Sequence, residues 1–112
     1  MNIYIVANGK ITLNLLKNIK KNSYIIGVDR GALILIIHNI IPDMAIGDFD
    51  SVKKDEFQII KKRVKNIVKF DSRKDKTDLE LAVEYSLKKK PDELDILGAT
   101  GTRIDPFSRH LF

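Results

Sequence analysis

Cysteine is absent from the 112-residue chain, which excludes disulfides and every thiolate metal site. That absence suits a cytoplasmic protein. Long apolar runs are absent as well. A stretch such as residues 32–37 is far too short to cross a bilayer as a helix. The opening Met-Asn-Ile-Tyr-Ile-Val has no basic leader, so it reads as a first strand and not as a signal peptide. His38 and His110 are the two histidines, and neither has a second His at ligand spacing, so no imidazole metal site is expected. Aromatics make up 7% of residues while the net charge is +5. Lysines spread over helix faces with few rings nearby do not form a stacking groove for single strands. The charge reads as a lysine-rich composition, and neither a nucleic-acid nor a membrane partner is expected.

What remains is a hydrophobic fraction of 44%, enough for the core of one domain of ordinary size. Short apolar runs over residues 2–8, 23–28, 44–47, 66–70 and 94–98 predict five strands. Between them, helices are expected over 12–21, with Thr12 as N-cap, over 32–39, and over 53–63, with Phe57, Ile59 and Ile60 inward. The clearest helix spans 77–89. Leu79, Ala82, Val83 and Leu87 form its apolar face, Thr77 and Glu80 have capping-box spacing, and Pro91 stops it. Strands alternating with helices imply an α/β fold: a Rossmann-like parallel sheet with helices on both faces, three layers deep.

In such sheets ligands bind beyond the carboxyl ends of the strands. Four polar clusters fall there: Asp29-Arg30-Gly31, Asp48 to Ser51, residues 71–78 and residues 100–105. Asp48 and Asp50, two residues apart after a strand, can converge on one hard cation such as Mg²⁺; Asp and Gly also favour plain turns. Asp75 and Asp78 add acids from a second strand end, although Asp78 in a first helical turn is stabilising for structural reasons too. Acids gathered from separate strand ends repel unless a cation or basic group lies among them. The loop Gly98-Ala99-Thr100-Gly101-Thr102-Arg103 can offer N–H groups to a phosphate, but it lacks a P-loop ending, and no dinucleotide glycine fingerprint occurs.

These motifs, in this order, resemble the thiamine pyrophosphokinase family. The resemblance rests on Asp29-Arg30-Gly31, on Gly47-Asp48-Phe49-Asp50-Ser51, on Lys74-Asp75-Lys76-Thr77-Asp78, and on Gly98-Ala99-Thr100-Gly101 with Arg103 and Asp105. It implies transfer of the pyrophosphoryl group of ATP to thiamine, giving thiamine diphosphate and AMP, with Mg²⁺ as cofactor and a homodimer as the working form. By position it implies Asp48, Asp50 and Asp78 as metal ligands and Asp75 as a further catalytic acid. Asp29, Arg30, Gly31, Ser51, Lys76, Thr77, Gly101, Arg103 and Asp105 are implied around the nucleotide. Thr102 and Pro106 stand where the family pattern has Gly and His. The expected division is therefore a catalytic domain over 1–105 and a divergent tail over 106–112. The β-rich second domain that the family carries beyond this point is expected to be missing.

Overall fold

The structure is a computed structural model and describes residues 1–7, 9, 11–70 and 77–98. Five strands and four helices alternate: β1 (Asn2–Val6), α1 (Leu13–Lys17), β2 (Tyr24–Val28), α2 (Arg30–Ile37), β3 (Met44–Gly47), α3 (Lys54–Arg63), β4 (Asn66–Lys69), α4 (Asp78–Lys88) and β5 (Glu93–Leu97). The strands form one sheet in the order β4-β3-β2-β1-β5, and every pairing is parallel. The expected α/β architecture is what forms.

Right-handed crossovers explain which helix covers which face. The chain steps one way from β1 to β4, then reverses through α4 to reach β5 beside β1. A fixed hand requires the crossover helix to change faces when the direction of travel reverses. Accordingly, α4 packs Ala82 and Val83 against Ile3, Ile5, Ile26, Val28, Met44 and Ile46 on one face. On the other, Ala45 meets Ala32, Leu33, Ile60 and Val64 from α2 and α3, and Val6 and Ile25 meet Leu16 and Leu35 from α1 and α2. The alternation of these residues along each strand is the period-two pattern of a sheet buried on both sides. Each fully buried isoleucine, such as Ile26, contributes roughly 1.5–3 kcal/mol of burial free energy.

Three elements differ from the sequence expectation. Helix α1 ends at Lys17, where Asn18 caps it; Asn is a poor helix former, and Ile19 reaches the core without helical backbone. Helix α2 starts at Arg30, not at residue 32. In α3, Phe57 and Ile60 are three residues apart and point inward, which turns Ile59 outward, 44% exposed. Helix α4 forms as read, with the Thr77 hydroxyl accepting from the Glu80 N–H at 3.1 Å.

Candidate active site

Parallel pairing sets the ends of β2 and β3 level: Val28 lies opposite Ile46, and the Asp29 N–H donates to the Ile46 carbonyl at 2.9 Å. Asp29 and Asp48 therefore leave neighbouring strands side by side. The first residue of α4 brings Asp78 to the same place, and its Oδ2 accepts from the Asp48 N–H at 3.4 Å. One carboxylate oxygen from each of Asp29, Asp48 and Asp78 lies within 4.8 Å of the other two, and all three residues are half-buried.

The backbone here is strained to make that meeting possible. Asp29 has φ 51° and ψ −121°, a combination that costs a non-glycine residue about 1–3 kcal/mol. Contacts made only in the folded state hold it. Its Oδ1 accepts the Phe49 N–H at 2.9 Å, and Phe49 itself sits at φ 60°, buried against Phe57 with the rings tilted by 35° and their centroids 4.9 Å apart. Gly47 makes room. Its φ is +150°, and a Cβ there would come within 2.1 Å of Asp29 Oδ1.

Three clustered carboxylates are electrostatically costly. Burial first, then a hydrogen bond with Asp78 and the charges of Asp78 and Asp48, push the Asp29 pKa up to about 7, against a lowering contribution from the Phe49 N–H. A donor set made only of carboxylate oxygens suits a hard divalent cation, which would relieve this repulsion.

The family model described as "Thiamin pyrophosphokinase, catalytic domain" matches residues 15–112. The chain belongs to that family. A thiamine pyrophosphokinase from Bacillus subtilis (strain 168) is 44% identical over 82 residues, covering 73% of this chain and 38% of the relative. The crystal structure of a Bacillus subtilis thiamine pyrophosphokinase superposes with a TM-score of 0.77 at 35% identity, covering 99% of this chain and 53% of the other. A family protein from Enterococcus faecalis gives 0.76 at 31% identity, with the same coverage. The chain thus spans about two fifths of that curated relative and about half of these solved ones.

Within this family member the residues singled out from sequence separate into three groups. Asp48 and Asp78 come together, and Asp29, read from sequence as a nucleotide contact, joins them. Asp50 lies outside the trio: it is exposed, and its N–H donates to Asp48 Oδ1 at 3.0 Å. A second group also lies outside the trio, and Gly31, Thr77 and Arg30 in it are tied into the scaffold. Gly31 packs α2 against the end of β1, where a Cβ would meet the Val6 carbonyl at 2.0 Å. Thr77 caps α4. Arg30 Nη1 donates to Glu56 Oε1 at 3.0 Å, and Ser51 stands exposed in the turn after Asp50. A third group, Asp75, Lys76, Gly101, Arg103 and Asp105, lies outside the described residues.

Glu56 is a partner of Arg30 that the sequence did not single out. Its Oε1 accepts both the Arg30 guanidinium and the Lys53 N–H, at 3.0 and 2.9 Å. The Lys53 N–H, then Arg30, hold its carboxyl below the ordinary range. An acid three residues into a helix after a turn is a capping signal, and that is the one feature by which it was detectable.

Proposed function

We infer that this domain binds Mg²⁺–ATP at the Asp29–Asp48–Asp78 group and transfers the pyrophosphoryl group to thiamine, giving thiamine diphosphate and AMP. The observation that carries this reading is the convergence of three half-buried carboxylates from β2, β3 and α4, at the strand ends where α/β sheets bind ligands, in a chain of this family. Asp29, Asp48 and Asp78 would hold Mg²⁺, and Asp50, through its backbone, orients Asp48. When bound, the ion offsets charge on the phosphate oxygens. Arg30, with a fork of donors, binds a phosphate oxygen. In the reaction the thiamine hydroxyl oxygen bonds to the β-phosphorus, the bond from that phosphorus to the α–β bridging oxygen breaks, AMP leaves, and an aspartate takes the hydroxyl proton.

Incubating the chain with ATP, Mg²⁺ and thiamine tests the reading; AMP and thiamine diphosphate in equal amounts are the expected products. A second reading keeps the same carboxylate group and drops the transfer step. In that reading the domain binds Mg²⁺–ATP without turnover. ATP binding with no AMP formed selects the second reading, and no ATP binding removes both. A homodimer in the cytoplasm belongs to the first reading through the family resemblance, and the mass of the protein in solution tests the dimer.

A further inference from the structure

We propose that Glu56 is a positioning residue for Arg30, the residue that follows Asp29: it fixes the guanidinium so that the remaining N–H donors of Arg30 meet the nucleotide's phosphates. This rests on the Mg²⁺–ATP reading above. Arg30 directly follows Asp29 and opens α2, so its backbone adjoins the carboxylate group. Free arginine has several rotatable bonds, and holding it in one geometry costs entropy. Among the described residues its guanidinium makes one contact, from Nη1 to Glu56 Oε1 at 3.0 Å, which leaves most of a five-donor fork for a ligand.

Glu56 is suited to act as the fixed end. Its side chain is 21% exposed against 42% for Arg30. It is restrained from its own helix by the Lys53 N–H at 2.9 Å, and α3 is in turn held against α2 by Ile60, Ala32 and Leu33. The capping contact is local and does not need Arg30, whereas the bond to Arg30 reaches across 26 residues. A half-exposed ion pair adds little to folding. Its effect here is to pre-order the ligand-facing arginine, which lowers the entropy lost on binding.

The test is a double-mutant cycle on Mg²⁺–ATP affinity by calorimetry, using the whole chain, with thermal unfolding recorded for each variant. Glu56→Ala should weaken binding about three- to fivefold in the wild-type background and not at all in the Arg30→Ala background. Glu56→Gln, which keeps an acceptor for the Lys53 N–H, should unfold near the wild-type temperature and show a smaller loss of affinity. If Glu56→Ala proves too unstable, Glu56→Gln with Arg30→Ala completes the same cycle. Equal losses with and without Arg30, unchanged affinity, or tighter binding by the Glu56 variants would overturn the proposal; tighter binding would mean that Glu56 competes with the nucleotide for Arg30. A wild-type chain that binds no Mg²⁺–ATP overturns this inference together with the reading beneath it, whereas wild-type binding with additive substitutions overturns the inference alone.

Discussion

The two edges of the sheet solve the same problem, reversing the chain, by different means. At the edge where strands begin, the turns use Asn22 and Asn39 at φ 65° and 64°, a residue type that tolerates the left-handed region, with Lys90 at φ 52° as an exception. Positive charge collects at that edge, because Lys17, Lys61, Lys62, Arg63 and Lys88 lie in last helical turns, where the helix dipole favours it. At the edge where strands end, Asp29 and Phe49 take positive φ, and three carboxylates crowd together. Apart from Lys90, the first edge follows local rules. The second breaks them and is held by contacts between distant segments, which is the pattern of a functional site.

Substitutions can break that contrast, and the largest effect is expected at Gly31. An added Cβ would sit 2.0 Å from the Val6 carbonyl, a backbone atom with no room to move. Gly31→Ala should therefore cost about 3 kcal/mol or more in denaturant unfolding. A loss below about 1 kcal/mol would show that α2 can shift away from β1.

A smaller effect, with a definite sign, belongs to Asp29. Its folded pKa is raised to about 7 from 3.8, so the folded state holds a proton that the unfolded chain releases. Its contribution to stability is complete below about pH 4 and is lost as pH rises through about 7. Metal-free wild type should lose about 1–2 kcal/mol more than Asp29→Asn over that range, a figure reduced for partial solvent exposure. Mg²⁺ at the upper end should recover the loss in wild type alone. Equal pH slopes in both proteins would remove the carboxylate repulsion from the account. The smallest effect is expected at the other edge: Asn39→Gly should change unfolding free energy by no more than about 0.5 kcal/mol, because glycine accepts the same φ.

The contrast also explains what was legible in the sequence. Five strands and the capped start of α4 follow from periodicity and from Thr77 with Glu80, all short-range signals. Asp48 and Asp78 were visible as acids after predicted strands. The start of α2 was not, because Asp29 caps it with a backbone angle that no propensity anticipates. The place of Asp29 in the trio depends on the level pairing of β2 with β3 and on the space left by Gly47, neither of which is written in local spacing. Arg30 looked like a ligand contact, but its partner Glu56 lies 26 residues away on another helix.

The family resemblance groups Asp48 and Asp78 with Asp50, whereas the fold brings them together with Asp29. Calorimetric titration of Mg²⁺-dependent ATP binding into Asp29→Asn, Asp48→Asn, Asp50→Asn and Asp78→Asn separates the two. Binding should weaken at least about tenfold in the Asp29, Asp48 and Asp78 variants and stay within about threefold of wild type in Asp50→Asn. Loss of binding in Asp50→Asn with full binding in Asp29→Asn would contradict the account.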